Sequence, residues 1–416
     1  MGNRAEPLAR TLDIAIADRL GRMPVVVVTG ARQTGKTTLV RHLEPAKGRH
    51  FVTLDSLGAW DQARREPDAL VSTADRMTID EVQREPDLLL AVKRAVDDRR
   101  SPGRFLLTGS ANLALMDRVS ESLAGRASYL VLRPLTEREK RRESTTTAWS
   151  EILASADLKS ALRLLKPPAR LKWKRAALEG GLPPAALARS PEDRHVFFES
   201  YVDTYVRRDL QDLAQVGDLA GFVRLVRLLA LRHGGLVNYA DLSRDLSMPR
   251  TTVQRWTSIL ETSFLVTLLP AYVESRKARL IKAPKLYFGD TGLGLHMARI
   301  DDEAALERDA RSGSWLEGLV LNDLLAWRET LVRKPDIFHW RSVNDEEIDF
   351  VAEAGRRLLP IEVKSSSSVR TSDARALDRF CAEHGAHAPF GMLLYTGVEA
   401  FPLTASTIAV PLGCLL

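Results

Sequence analysis

The sequence has few cysteines, no long apolar run and no secretion signal, and each absence excludes a class of protein. Cys381 and Cys414 are the only cysteines, too few for a metal cluster or a disulfide framework, so redox chemistry is not expected. No apolar stretch is long enough to cross a bilayer, and residues 1–10 carry charges where a signal peptide needs apolar residues. We therefore expect a cytoplasmic protein with no membrane partner.

The length and charge of the chain set the expected domain count and class of partner. A chain of 416 residues is longer than a usual single domain, so more than one hydrophobic core is expected. The net charge of +6 is a mild bias towards polyanionic partners, and it is spread along the whole chain. The places where basic residues cluster therefore matter more than the total.

Hydrophobic patterns divide the chain into an α/β region, a helical region and a second α/β region. Over residues 25–134, short β-branched runs alternate with helical patterns, as in a parallel sheet with crossover helices. Residues 136–213 are helical and polar, broken by proline and glycine, which indicates a helical lid or connector. The first region is predicted to hold strands at residues 25–29, 51–55, 77–80, 104–107 and 129–132.

A helix-turn-helix pattern precedes the second α/β region. Two predicted helices, residues 239–245 and 250–261, are separated by a short turn, which is typical of a helix-turn-helix in a winged-helix segment. A strand is then predicted at residues 285–288 and an apolar helix at residues 315–327. Further strands are predicted at residues 336–341, 347–353 and 358–364.

Residues 30–37 match the phosphate-binding pattern GxxxxGK[ST], and they lie between an apolar run and a helical segment. In such a loop, backbone amides and a helix N-terminus face the phosphates, Lys36 neutralises the β and γ charge, and Thr37 ligates magnesium. We therefore predict an ATP site. Its expected contacts are Gly30, Ala31, Arg32, Gln33, Thr34, Gly35, Lys36, Thr37 and Thr38.

Polar residues near the ends of three later predicted strands complete the expected ATPase site. Asp80 is expected to hold magnesium (Mg²⁺) through water, and Glu81 to polarise the attacking water. Ser110, with Thr108 as second choice, is expected beside the γ-phosphate as a sensor. Arg126 is expected to reach the nucleotide of a neighbouring subunit in a homo-oligomer. Taken alone, two acids after a strand and a single arginine are also typical of solvated positions.

Basic and polar residues in the helix-turn-helix region favour nucleic acid as a partner. Polar residues of the second helix surround the apolar Val253, Trp256 and Leu260, so they are placed to enter a groove. A basic wing over phosphates is predicted downstream. The helix residues are Arg250, Thr251, Thr252, Gln254 and Arg255, and the wing residues are Arg276, Lys277, Arg279, Lys282 and Lys285. The alternative is a winged helix that serves only packing or assembly.

Carboxylates and a lysine share one face of a predicted C-terminal hairpin. If residues 355–356 form a two-residue loop, Asp349 lies opposite Glu362 and Lys364 falls on the same face. The carboxylates would bind magnesium or manganese (Mn²⁺) that activates water, and Lys364 would offset phosphate charge. An amphipathic hairpin with one wet face gives the same alternation. The apolar face is predicted to carry Ile348, Phe350, Ile361 and Val363.

Several stretches together resemble the prokaryotic AAA+ ATPases that join an N-terminal ATPase core to a restriction-nuclease-like C-terminal domain. The resemblance spans nearly the whole chain and implies an α/β fold with a P-loop AAA+ core, helical lid, winged-helix segment and α/β restriction-endonuclease-like domain. The implied bounds are residues 1–135, 136–215, 216–280 and 281–416. The matching stretches are residues 28–38, 79–83, 106–110, 122–126, 205–210, 288–293, 347–351 and 360–366.

The same resemblance assigns roles in the C-terminal domain. Asp349, Glu362 and Lys364 match the D…ExK arrangement of the restriction-nuclease superfamily, and Glu317 on the preceding helix adds a further acidic ligand. The expected function is ATP hydrolysis coupled to a nucleic-acid-binding, metal-dependent nuclease domain. The alternative is an ATP-switched scaffold or regulatory protein whose nuclease-like domain is non-catalytic.

Overall fold

The computed structural model describes residues 7–43, 48–109, 123–143, 148–210, 217–279, 281–342 and 344–416. Ser110, predicted as a sensor, lies outside the described residues. The strands are β1 Val25–Thr29, β2 His50–Thr53, β3 Met77–Asp80, β4 Phe105–Thr108, β5 Ala127–Val131, β6 Val266–Leu269, β7 Lys285–Phe288, β8 Asp336–Arg341, β9 Glu347–Ala354, β10 Arg357–Lys364, β11 Gly391–Tyr395, β12 Phe401–Pro402 and β13 Thr407–Pro411.

The described α-helices surround these strands, and short 3₁₀ turns and one π-helical segment, Val202–Asp209, accompany them. The helices are α1 Asp13–Leu20, α2 Lys36–His42, α3 Leu57–Arg65, α4 Pro67–Val71, α5 Leu88–Asp98, α6 Glu137–Lys140, α7 Trp149–Ala154, α8 Leu158–Leu164, α9 Trp173–Glu179, α10 Pro183–Ala186, α11 Pro191–Tyr201, α12 Leu219–Leu231, α13 Tyr239–Leu246, α14 Arg250–Thr262, α15 Arg276–Arg279, α16 Thr291–Met297, α17 Glu303–Arg308, α18 Ser312–Thr330 and α19 Arg375–His384. Within the described ranges, none of these helices has the length and apolar character needed to span a membrane.

The N-terminal sheet is parallel, in the order β2-β3-β4-β1-β5. Strand β1 is buried along its whole length. Its valines alternate between two hydrophobic cores, Val25 and Val27 in one and Val26 and Val28 in the other, because helices cover both faces of the sheet. The carboxyl ends of the parallel strands therefore meet at one edge, and the predicted α/β class with a parallel core is confirmed.

The helix-turn-helix pattern is formed by α13 and α14, and the antiparallel pair β6–β7 follows it. Ser247 has a left-handed backbone, with φ of 52°, which lets the chain reverse between the two helices. The predicted apolar positions Val253, Trp256 and Leu260 are buried in one core together with Phe198 of α11. This module therefore shares its core with the helical connector.

The C-terminal sheet is mixed, in the order β12-β13-β11-β10-β9-β8. Residues 355–356 form the predicted two-residue loop, because Ala354 pairs with Arg357 in the β9–β10 hairpin. Helix α18 contributes to the core on one side of the sheet and α19 to the core on the other. The α/β C-terminal domain expected from the sequence is thus present, and its sheet is mixed.

A β-bulge overturns one detail of the predicted hairpin. Strand β8 pairs Phe338 with Val351 and Trp340 with Ile348, so β9 carries an extra residue between these pairs. Ile348 therefore belongs to the core beside α19, whereas Phe350, Ile361 and Val363 belong to the core beside α18. The prediction that these apolar residues share one face is wrong for Ile348. Bulges re-aim neighbouring side chains, and Asp349 lies within this one.

Candidate functional site

The phosphate-binding loop leaves β1 at Thr29 and enters α2 at Lys36. Gly30 has φ of 149°, and a Cβ there would lie 2.4 Å from the carbonyl oxygen of Leu132. Gly35 is left-handed, with φ of 92°. Both positions therefore require glycine, and the curl they permit brings the first amides of α2 to the end of the sheet. Of the other loop residues, Thr34 is buried and its hydroxyl donates to the Ala31 carbonyl at 2.9 Å.

Lys36 lies inside this loop. Its Nζ donates to the carbonyl oxygens of Gly30 at 3.1 Å and Ala31 at 2.8 Å, and the side chain is buried. Burial lowers the pKa of Lys36 to about 8, against the raising effect of Glu81 and Asp80. Phosphate charge would favour the protonated amine. The lysine is therefore already placed where a nucleotide phosphate would need it.

Asp80 is a hydrogen-bond acceptor for hydroxyl groups from three elements. The Thr37 hydroxyl donates to Oδ1 at 3.1 Å and to Oδ2 at 3.0 Å, the Thr53 hydroxyl donates to Oδ2 at 3.3 Å, and the Thr108 hydroxyl donates to Oδ1. Asp80 is buried at the end of β3. A hydroxyl beside a carboxylate fits the oxygen ligands that magnesium prefers. The structure thus joins Thr37 and Asp80, places Thr108 against Asp80, and adds Thr53, which sequence reasoning missed.

Glu81 follows β3 in a left-handed conformation, with φ of 59°. This backbone is uncommon for a non-glycine residue and is often found at functional sites. Gln83 donates a side-chain hydrogen bond to the Glu81 carboxylate. Glu81 also lies near enough to raise the pKa of Lys36, so both groups belong to one site.

A cleft of about 820 Å³ adjoins the loop. Its lining includes Leu8, Gly35, Thr38, Pro183 and Leu187, so apolar side chains from the N-terminal segment and from α10 face the start of α2. A cleft of this size beside a phosphate site suits an adenine base and ribose. The sequence signal near this cleft is the glycine- and proline-rich stretch where α10 begins, which was predicted as part of the helical connector.

Arg10 joins the N-terminal segment to this loop. Its guanidinium donates to the Thr34 carbonyl at 2.9 Å and to the Arg133 carbonyl at 2.6 Å, and it pairs with Glu139 at 3.2 Å. The side chain is buried. Arg10 therefore stabilises the loop from outside its motif, and no local sequence pattern could have identified it.

Arg126 lies at the other end of the sheet from the loop. It precedes β5, whose first residue, Ala127, pairs with Val25 at the start of β1. Its guanidinium forms a two-pronged ion pair with Asp97 at 2.6 and 2.9 Å. Arg126 therefore cannot contact the nucleotide site of its own subunit, and a contact in a second subunit requires breaking this ion pair.

Two residues of the predicted basic wing point inward instead. Arg279 pairs with Glu353 and lies over the rings of Tyr272 and Phe338, each 4.6 Å from the ring centroid. Lys285 is buried. The expectation that these side chains cover phosphates is wrong, because both are held by the C-terminal domain. Lys277 and Lys282 are exposed as expected, and the Arg276 side chain lies outside the described part of the chain.

The predicted C-terminal residues do come together. The amide of Asp349 donates to Glu362 Oε2 at 3.4 Å, and Asp349 Oδ2 accepts the Val363 amide at 2.9 Å. Lys364 Nζ lies 2.6 Å from Glu362 Oε1. Asp349 and Glu362 are buried. The side chain of Asp349 therefore extends the hairpin hydrogen bonding and places both acids beside each other.

Lys285 enters this cluster from β7. Its Nζ lies 3.2 Å from Asp349 Oδ1 and 3.5 Å from Glu317 Oε2, and it also pairs with Glu347. The Tyr287 hydroxyl donates to Glu317 at 2.6 Å. Lys285 was predicted in the wing and Tyr287 had no predicted role, because β7 is distant in sequence from the hairpin. Glu347 was not predicted in the cluster either.

The electrostatics of this cluster follow from burial and from the shared carboxylate charge. Burial raises the pKa of Glu362 and of Glu317, and the negative charge of Asp349 raises both further. Burial alone would lower the pKa of Lys285, but Asp349, Glu317 and Glu347 outweigh it and raise the pKa. Lys285 therefore stays protonated, and it neutralises only part of the negative charge of the surrounding carboxylates.

Family models match three segments of the chain. A family model described as an AAA domain matches residues 22–140, and domains of unknown function DUF8612 and DUF4143 match residues 170–304 and 312–415. Uncharacterized proteins Rv2008c of Mycobacterium tuberculosis and Mb2031c of Mycobacterium bovis are each 33% identical over 401 residues, which are 95% of this chain and 82% of each relative. The Walker-type ATPase PABY2304 of Pyrococcus abyssi is 14% identical, with TM-score 0.42, over 71% of this chain and 97% of its own. Lys285 falls within the DUF8612 match and Asp349 within the DUF4143 match.

Proposed function

The chain belongs to one family with the mycobacterial proteins Rv2008c and Mb2031c and contains an ATPase domain of the AAA type; from this premise we propose that it binds ATP with magnesium at the Lys36 loop and hydrolyses it. The observation that carries the proposal is the Thr37–Asp80 contact of 3.0 Å beside a loop that already encloses Lys36. Bound magnesium would supply positive charge to the phosphates, with Thr37 and Asp80 as its protein partners. Glu81 would orient water, and residues 30–38 would hold the phosphates.

The test separates phosphate binding from water activation. Lys36→Ala is expected to abolish ATP binding, because it removes the buried positive charge. Glu81→Gln is expected to keep binding and to lose turnover by roughly 100-fold or more, the usual contribution of a positioned acid–base group. Lys159→Ala changes an exposed lysine and serves as the matched control. Equal hydrolysis in wild type, Lys36→Ala and Glu81→Gln would contradict the proposed site.

We also propose that the active form is a homo-oligomer in which Arg126 acts on the nucleotide of a neighbouring subunit. The support is positional: Arg126 lies at the opposite end of the sheet from its own Lys36 loop. An arginine supplied in trans stabilises the transition-state charge in many P-loop enzymes. Release from Asp97 would accompany this contact.

The cluster of Asp349, Glu362 and Lys364, with Glu317 nearby, favours a second function, metal-dependent cleavage of nucleic acid. Two adjacent buried carboxylates can bind Mg²⁺ or Mn²⁺, and a lysine beside them offsets phosphate charge. Exposed Arg250, Thr251 and Arg255 on α14 supply a surface for a nucleic-acid backbone. A divalent ion here has to displace the Lys285 ammonium.

Cleavage is tested on plasmid, single-stranded DNA and RNA, with ATP and either metal present or absent. Asp349→Ala is expected to abolish cutting and to leave ATP turnover intact, since its cluster lies in a separate domain. If the wild type cuts no substrate, or Asp349→Ala cuts equally well, the ATP-switched scaffold becomes the better description. In that case Lys285 is simply the structural counter-ion of the carboxylates.

A further inference from the structure

Two histidines from different helices meet at the surface where the helical connector touches α16. His195 of α11 and His296 of α16 have ring centroids 5.0 Å apart, in an edge-to-face arrangement. Asp301, just beyond α16, completes the group, and one ligand atom from each of the three lies within 4.8 Å of the others. Imidazole and carboxylate are the usual protein ligands of zinc.

The two nitrogens of His195 face different carboxylates. Nδ1 lies 3.9 Å from Asp301 Oδ1, and Nε2 lies 3.4 Å from Glu199 Oε1. A histidine that binds a metal through one nitrogen commonly gives its other N–H to a carboxylate, which orients the ring. Glu199 is placed to do this for Nε2, which leaves Nδ1, on the side of Asp301, to bind the metal.

The backbones that carry these ligands are held by close packing. Phe198, one turn beyond His195 on α11, contacts the His296 ring with centroids 5.7 Å apart. A Cβ on Gly292 would lie 2.8 Å from Phe198 Cζ, so the two helices touch. Ligand atoms in a tetrahedral zinc site are roughly 3.3 Å apart, given bonds of about 2.0–2.1 Å. Small rotations of half-exposed side chains therefore suffice to close the group around an ion.

We propose that His195, His296 and Asp301 form a binding site for a divalent transition metal of the zinc class, with Glu199 orienting His195. The site goes beyond ATP hydrolysis and does not depend on it. It joins α11 to α16, and α11 ends at Tyr201, whose hydroxyl donates to the Arg32 carbonyl of the phosphate-binding loop at 3.3 Å. Metal binding thus stabilises the contact between α16 and α11, the helix whose last residue reaches the loop.

The test uses the full-length protein after removal of metal by a chelator, with zinc and cobalt(II) chloride as probes. Wild type is expected to bind one zinc more per chain than His195→Gln, His296→Gln or Asp301→Asn. Zinc should raise the Tm of wild type and should not raise the Tm of these variants. Cobalt(II) should give the intense visible absorption of a tetrahedral site in wild type alone. Glu199→Gln should weaken binding by roughly 10–100-fold.

His387→Gln removes an exposed histidine elsewhere and should bind zinc as the wild type does. Circular dichroism of each variant without metal checks folding, and Asp301→Asn, at an exposed position, keeps the test valid if a histidine variant fails to fold. The proposal is overturned if wild type shows no zinc-dependent Tm shift, or if all three ligand variants retain the zinc stoichiometry and cobalt spectrum of wild type.

Discussion

Lys285 Nζ lies 3.2 Å from Asp349 Oδ1, so a lysine from the strand that follows the helix-turn-helix neutralises the carboxylate predicted to bind metal. Both residues are buried. Strand β7 and the hairpin β9–β10 belong to different sheets. This ion pair thus connects the β6–β7 pair, which follows the helix-turn-helix, to the acidic cluster of the C-terminal domain.

Replacing this lysine should turn the cluster into a stronger metal site. Lys285→Met keeps the aliphatic stem and removes the cation that Asp349, Glu317 and Glu347 share, which costs roughly 3–5 kcal/mol without metal. Mn²⁺ should then bind more tightly than in wild type and restore part of the lost Tm. Calorimetric titration and thermal unfolding with and without Mn²⁺ measure both effects. Lys282→Met, at an exposed neighbouring lysine, should behave as wild type; equal Mn²⁺ affinity in Lys285→Met and wild type would show that the lysine does not exclude metal.

Gly30→Ala should disrupt the proposed ATP site by sterics alone. The new Cβ would lie 2.4 Å from the backbone oxygen of Leu132, at φ of 149°, so the loop has to move away. We expect ATP binding to be lost and stability to fall by about 1–3 kcal/mol, read from nucleotide titration and Tm. Gly58→Ala is the control, because a Cβ there meets no atom within 4 Å. Normal ATP binding by Gly30→Ala would contradict the loop geometry.

Asp323 should make stability depend on pH. It is buried and accepts a hydrogen bond from Trp149 Nε1 at 2.6 Å, and burial raises its pKa to about 7 although the Trp149 bond lowers it. The unfolded value is about 3.9, so the folded state holds the proton more tightly and stability falls as pH rises from about 4 to about 7. The slope is at most about 1.4 kcal/mol per pH unit.

Asp323→Asn removes this ionisation and keeps an acceptor for Trp149. Its Tm should therefore vary less than that of wild type between about pH 4 and pH 7, and its advantage should be greatest at the alkaline end. Asp98→Asn, at an exposed aspartate, controls for the loss of one surface charge. A parallel pH profile for wild type and Asp323→Asn would mean that Asp323 does not titrate in this window.

Arg126 should affect ATP turnover only through its contact with a neighbouring subunit. Arg126→Ala is expected to lower turnover by roughly 1,000-fold or more, whereas Asp97→Asn leaves the arginine in place and should preserve activity. Mixing Arg126→Ala subunits with Glu81→Gln subunits should restore some turnover. At some interfaces of the mixed assembly, Arg126 of one subunit then faces a nucleotide site with an intact Glu81 in the other. If a monomer is fully active and its turnover does not depend on protein concentration, the hypothesis that Arg126 acts on a neighbouring subunit is wrong.

Local patterns were sufficient for the turn around Lys36 and for most of the strands. The predicted strands of both α/β regions form, with ends within two residues of those expected, because side-chain periodicity and flanking turns act over short stretches. Strand β6 and the last three strands were not predicted. Their apolar runs are short and lack the flanking motifs that identified the others.

The sequence by itself determined the phosphate-binding loop, the two acids at the end of β3 and the two-residue hairpin loop, since each depends on residues that are neighbours along the chain. Only the tertiary structure decided where Lys285 and Arg279 point, that Ile348 and Phe350 face different cores, and that Arg10 stabilises the loop. The β-bulge separates the two apolar residues, whereas the three charged residues share another physical reason. A charged side chain is placed by the partners that compensate its burial, and those partners come from elements that meet only when the domains pack.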